Sequence, residues 1–257
     1  MNPAADGIKD GKLAMATCYP IVELRQYTLH PGRRDVLIEL FEREFIESQE
    51  AAGIRVIGQF RDLDDPERFV WLRGFQSMQA RGAALAAFYG GPVWEAHRDA
   101  ANATMLDSDN ALLLHPVGPD GGFVLGERRA ADAAEGCGGH GVVAATIHYL
   151  DAEATDAFAA FFAMDMAPRL AAAGASIVAV LATEGSPNTF PRLPVREGEH
   201  VFLWFSAFPG LDALKRHQAA LQQPSNWREG APAEVLRQLM RKPEILTLEP
   251  ARRSLLR

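Results

Sequence analysis

"VELRQYTL" (residues 22–29) comes back 121 residues later as "VAATIHYL" (143–150). At the same spacing "AAGIRVIGQF" (51–60) meets "AAGASIVAVL" (172–181), and Phe41 meets Phe162. Further along the spacing widens to 133, where "FVWLRGF" (69–75) meets "FLWFSAF" (202–208) and Trp94 meets Trp227. The 12 additional residues are read as one insertion within "TEGSPNTFPRLPVREGEH" (183–200). Paired Trp and Phe residues on such steady spacings mark a chain that contains itself twice.

Each copy has the same grammar. An alternating strand (22–29) is followed by a helix with apolar positions Val36, Leu37, Leu40, Phe41 and Phe45, ended at Gly53. Two strands, 54–60 and 69–75, flank the turn-forming "RDLDDPER". A helical stretch over about 77–106, broken at Gly90-Gly91, precedes a last strand, "ALLLHPV". The order β-α-β-β-α-β is ferredoxin-like. One sheet with two helices leaves a sheet face uncovered, and packing the open faces of the two copies together covers both. The expected class is α+β: a tail at 1–18, a first unit at 19–117, a Gly-rich linker at 118–141 and a diverged second unit at 142–257.

Composition narrows the function. A net charge of −7 without a basic stripe argues for no nucleic acid partner. No apolar run approaches the roughly 20 residues of a membrane span, and the first residues carry no targeting pattern. Cys18 falls in the tail and Cys137 in the linker, so no structural disulfide is expected and a reducing, cytoplasmic setting fits. "GCGGHG" (136–141) fits G-x-G-x-x-G in letters but precedes a strand, so it cannot cradle a pyrophosphate at a helix start. The acidic "RDLDDPE" lacks calcium-loop spacing, and the seven histidines form no zinc pattern.

The runs "VELRQYTLHPGRRDVLIELFEREF", "GIRVIGQFRDLDDPERFVWLRGF" and "PVWEAHRDAAN" resemble the NIPSNAP family, of the dimeric α+β barrel superfamily. The resemblance spans residues 21–116; the second copy, 142–250, keeps the pattern and has lost most of the signature. It implies a barrel of two such units, usually a dimer and here fused in one chain. Relatives in the superfamily include haem-degrading monooxygenases, cofactor-free quinone-forming monooxygenases, and small isomerases or cyclases.

Alternation puts Glu23, Arg25 and Tyr27 on one strand face, and Phe69, Trp71, Arg73 and Phe75 on another. In the second copy these become Ala144, Thr146 and His148, then Phe202, Trp204, Ser206 and Phe208, while His97 maps to Gly230. The aromatics persist and the charges vanish, so one polar pocket is expected, in the first copy. The alternative is a set of solvent-facing or structural ion pairs. In the pocket reading Arg25 and Arg73 hold an anionic group or stabilise an enolate-like transition state. Glu23 and Tyr27 orient them, and Trp71 and Phe75 stack on an aromatic or conjugated small-molecule ligand. Gln59, Trp94 and His148 are placed with the binding residues. His97 moves a proton or, as the resemblance to haem-degrading relatives implies, ligates a haem iron; a helix histidine bonded to an acid or water is the third option. The cofactor is left open between haem and none, and a homodimer between present and absent. The rival class is a non-catalytic binding or scaffold protein.

Overall fold

The computed structural model describes residues 19–126, 141–151, 155–223 and 239–257. The expected tail, most of the expected linker, Cys18, Cys137, Trp227 and Gly230 lie outside the described residues. The first unit runs β1 (Ile21–Leu29), α1 (Arg34–Leu40), a π-helical turn (Phe41–Phe45), α2 (Ile46–Ala51), β2 (Arg55–Asp62), β3 (Arg68–Phe75), α3 (Met78–Tyr89), α4 (Pro92–Asn102), β4 (Met105–Asp107) and β5 (Ala111–Pro116). The second runs β6 (Val142–Leu150), α5 (Thr155–Phe161), a π-helical turn (Phe162–Met166), α6 (Ala167–Ala172), β7 (Ser176–Thr183), β8 (His200–Phe208), α7 (Leu211–Leu221) and β9 (Glu244–Pro250).

The two halves match in detail. Each first helix carries its π turn at equivalent positions, and the extra residue lets Phe41 and Phe45, or Phe162 and Met166, all bury against their sheet. Each such helix stops at a glycine with left-handed backbone, Gly53 (φ 90°) and Gly174 (φ 95°), a conformation that costs a residue with a Cβ. The long helical stretch expected after β3 is broken at Gly90-Gly91, with Pro92 opening α4, but it ends at Asn102. Residues 105–107 are extended instead, paired with the end of β1.

Strand order is β5-β1-β3-β2 in one unit and β9-β6-β8-β7 in the other, the ferredoxin order twice. The seams between units are reciprocal. Phe60 faces Pro250 and Asp62 faces Leu248, while Leu181 faces Pro116 and Thr183 faces Leu114. Among the described residues all strand pairs are antiparallel, and eight strands close into a ring with β4 as an appendage on β1. The chain is therefore a fused dimeric α+β barrel of two tandem ferredoxin-like units.

The joined faces form an apolar lumen that includes Val22, Leu24, Val70, Leu72, Val143, Leu203, Phe205 and Leu246. Part of the segment read as linker helps fill it. Phe123 is 3% exposed and packs on Phe205, with ring centroids 5.1 Å apart. Leu256 enters the same cluster near the C-terminus. The lumen is largely hydrocarbon, with Gln26 and the Tyr149 hydroxyl, bonded to Glu244 and Arg196, as polar exceptions. Glu23, Arg25 and Arg73 lie on the opposite, helix-covered sheet face.

Residues 184–199 join β7 to β8, where the first unit needs only residues 63–67 between β2 and β3. This insertion crosses to the first unit. The Thr189 hydroxyl donates to the Met78 carbonyl at 3.0 Å, Phe190 stacks on Tyr89 at 5.8 Å, and the Arg196 amide donates to the Ala111 carbonyl.

Candidate functional site

In the β1–β3 ladder Glu23 stands opposite Arg73, Arg25 opposite Trp71, and Tyr27 opposite Phe69. Alternation aims all six toward the helices. Three guanidinium groups converge on the Glu23 carboxylate. Arg73 Nη2 approaches Oε2 at 2.7 Å and its Nε donates there at 2.8 Å. Arg25 Nη1 donates to Oε2 at 3.1 Å, and Arg81 Nε, from α3, donates to Oε1 at 2.5 Å. The side chains of Glu23, Arg25, Arg73 and Arg81 are wholly buried. Further contacts fix their orientation: Arg25 donates to the Tyr27 hydroxyl (2.9 Å) and the Ser108 carbonyl (3.0 Å), and Arg73 to Gln49 Oε1 (3.5 Å). Arg81 Nη1 donates to Asn188 Oδ1 (2.9 Å) and Thr189 Oγ1 (3.1 Å) of the insertion.

Burial by itself would raise the Glu23 pKa, but Arg73, Arg25 and Arg81 overcome it and lower it to about 2. Burial works against the Arg25 cation, yet Tyr27 and Glu23 hold its pKa above the ordinary arginine value. Burial lowers the Arg81 pKa, with Glu23 opposing, and burial raises that of Tyr27. The cluster thus holds three guanidinium cations, one carboxylate and a neutral phenol. Such a surplus of buried cations is costly unless further acceptors meet it.

Several buried polar atoms on this face lack a hydrogen-bond partner among the described residues: Arg81 Nη2, Trp71 Nε1 and both amide atoms of Gln59. Gln59 is next to Trp71 across the β2–β3 ladder. Buried donors without acceptors are rare enough that each calls for an explanation. Aromatic rings wall the cluster. The Arg73 guanidinium lies 4.9 Å from the Trp71 ring, 5.6 Å from Phe75 and 6.0 Å from Tyr89.

The remaining expected site residues are placed elsewhere. Trp94 packs among Phe45, Phe88 and Tyr89. His97 is at the rim of the helical layer, its side chain 33% exposed, with Nε2 3.4 Å from Glu44 Oε2. Its contacts run through Phe45 and Phe88 to Tyr89 before they reach Arg73. This setting does not fit an axial haem ligand: the imidazole nitrogen is engaged by a carboxylate on a partly exposed helix face. The arginines that would meet propionates are gathered on Glu23 behind that aromatic layer. His148 belongs to the second unit, where it stacks on Trp204 at 5.1 Å and burial lowers its pKa to about 4.

Arg81, Gln49, Asn188, Thr189 and Tyr89 belong to the cluster or its wall without having been expected there. Arg81 had a readable signal, since it shares a helix face with Leu85 and Phe88, four and seven residues on. Gln49, Asn188 and Thr189 had none, because their roles depend on which elements the fold brings together.

Residues 22–118 match the model of the NIPSNAP family. The first unit is a NIPSNAP domain. The charged cluster belongs to it, apart from the two side chains that the insertion lends to Arg81. No curated protein matches the sequence. Among solved structures, an anthrone oxidase-like protein is similar with a TM-score of 0.56 at 16% identity, covering 90% of this chain and 91% of its own. A proposed monooxygenase from Lactobacillus acidophilus aligns with a TM-score of 0.52 at 15% identity, covering 90% of this chain and 94% of its own. Another, from Fusobacterium nucleatum, gives 0.53 at 8% identity, covering 91% and 93%. At these identities the likeness is one of fold alone, the closed barrel of two ferredoxin-like units. No helix among the described residues is long and apolar enough to cross a membrane.

Proposed function

We propose that the NIPSNAP unit binds a small anionic aromatic or conjugated molecule between its sheet and its helices. It transforms that molecule by monooxygenase-like or acid–base chemistry. The observation that supports this most is the cation surplus: three buried guanidinium groups share one carboxylate. An anionic ligand would supply acceptors where Arg81 Nη2 and Trp71 Nε1 have none among the described residues, and would lower the cost of the buried charge. Arg25, Arg73 and Arg81 hold the carboxylate, phenolate or enolate, Glu23 keeps the guanidinium planes convergent, and Trp71, Phe75 and Tyr89 bracket the ring. The Tyr27 hydroxyl accepts from Arg25, which leaves its own proton available to a ligand oxygen. His97 takes a rim position in this reading, steadying α4 through Glu44. The named activities of the fold relatives favour oxygen chemistry on an electron-rich ring. The eight-strand ring is closed within one chain, so a homodimer would form through outer surfaces.

The test is oxygen uptake with a panel of phenolic and carboxylated polycyclic substrates, wild type beside Arg25→Gln. Turnover that falls about 100- to 1000-fold in the variant, the scale of one lost oxyanion donor, supports the reading; unchanged turnover overturns it. Complete closure of the cluster favours a second reading, in which the domain binds without turning anything over. Ligand binding without turnover across the panel would select that one.

A further inference from the structure

The insertion at 184–199 comes from the second unit, yet its side chains finish the first unit's site. Asn188 Oδ1 and Thr189 Oγ1 occupy Nη1 of a fully buried arginine, and the neighbouring Nη2 has no acceptor among the described residues. Asn188 is itself braced, its amide donating to the Leu193 carbonyl and its Oδ1 accepting from the Phe190 amide. The loop seats on a helical glycine. A Cβ at position 82 would stand 3.1 Å from the Thr189 carbonyl oxygen and 3.3 Å from the Thr189 Cβ. Next to it, Phe190 lies almost parallel to Tyr89, with planes 18° apart, above the ring that flanks Arg73.

We infer that Asn188 and Thr189 hold the place of the ligand's carboxylate on Arg81, and that the insertion lifts from Gly82 to admit it. This rests on the proposed anion site and adds to it the second unit's contribution to recognition. Two neutral oxygens on one guanidinium nitrogen reproduce part of a carboxylate's bidentate contact, and a true carboxylate forms the stronger, charge-assisted pair with Nη1 and Nη2. Exchange of one for the other leaves Arg81 paired throughout. Phe190 closes over the ligand's ring when the loop returns, so the segment Asn188–Phe190 selects for a flat body with an acidic end.

The separation at Gly82 allows a direct test. A Gly82→Cys/Thr189→Cys pair, with Cys18→Ser and Cys137→Ser, places two Cβ atoms near disulfide distance. The oxidised and reduced forms of that one protein are compared by two readouts. The first is phenylglyoxal modification of Arg81, followed by peptide mass spectrometry. The second is the association rate of 2-naphthoate, followed by tryptophan fluorescence. The expected result is at least a 10-fold slowing of both in the oxidised form, reversed by reduction. Naphthoate that binds equally fast to both forms, with Arg81 equally reactive, overturns the inference and leaves the anion site standing. No naphthoate binding to wild type or either form overturns the anion site and the inference with it. Should the cysteine pair fail to fold, Gly82→Ala serves. The added methyl pushes against Thr189, and Arg81 modification is expected to speed up at least 3-fold; an unchanged rate overturns the inference.

Discussion

Replacing Glu23 by Gln isolates the electrostatics of the cluster. The change keeps the shape of the side chain and removes the negative charge on which Arg25, Arg73 and Arg81 converge. Breaking a buried ion pair from one side costs about 3–5 kcal/mol, because the abandoned charge stays buried. Three arginines lose their shared anion here, which places the cost at the upper end of that range. For a chain of this size each kcal/mol lowers Tm by roughly 2–4 °C, so a fall of about 10–20 °C is expected. A thermal scan by circular dichroism measures that fall, and urea unfolding measures the free-energy loss, with an unchanged m-value required for a two-state comparison. The exposed pair Arg61–Asp35 is the control: Asp35 is 63% exposed, and Asp35→Asn should cost no more than about 0.5 kcal/mol. The pH dependence gives a second check. The folded-state pKa of Glu23 is lowered from 4.5 to about 2, so the unfolded chain binds the proton more readily. Its contribution is complete above pH 4.5 and is lost as pH falls toward 2, and Glu23→Gln should remove that part of the acid transition. A loss of stability under about 1 kcal/mol would refute the reasoning, because it would mean the arginines are not charged and dry around that carboxylate.

Other outcomes follow from single residues. Burial lowers the His148 pKa from 6.5 to about 4, so its stability contribution is complete above pH 6.5 and drains away toward pH 4. The loss is of order 3 kcal/mol; urea midpoints at pH 7.5 and 5 should differ less in His148→Phe than in wild type. Gly53→Ala forces a Cβ into left-handed backbone (φ 90°) and should cost about 1–2 kcal/mol in the same unfolding assay. Phe123→Ala opens a hole in the barrel lumen and should cost about 3–5 kcal/mol.

The fold was readable because its signals repeat. "VELRQYTL" and "VAATIHYL", Trp71 and Trp204, Phe41 and Phe162 each report one position twice, and two open ferredoxin-like sheets have few ways to cover each other. Convergence of Glu23, Arg25, Tyr27, Arg73, Trp71 and Phe75 was legible for the same reason, since alternation fixes which residues share a face. Three things were not legible. Alternation does not say whether that face meets the lumen or the helices, and lumen filling by Phe123 and Leu256 settled it. His97 shares a helix face with Trp94 and both rings reach Phe45, but one turn further along the helix His97 has come to the rim beside Glu44, which depends on how α4 lies on the first helix. The insertion's own letters do not say where it goes, and the structure lays it on α3 of the same chain. Its grip on Arg81 depends on seating against Gly82, a contact between residues more than a hundred positions apart.

The central claim, an anion site between the sheet and the helices of the NIPSNAP domain, is tested most directly by calorimetric titration with 2-naphthoate. Wild type, Arg81→Gln and His97→Ala are compared at one pH and ionic strength. The expected result is binding to wild type, at least 10-fold weaker binding to Arg81→Gln, as the loss of a charge-assisted hydrogen bond requires, and little change in His97→Ala. Equal affinity in wild type and Arg81→Gln, or a loss confined to His97→Ala, would contradict it.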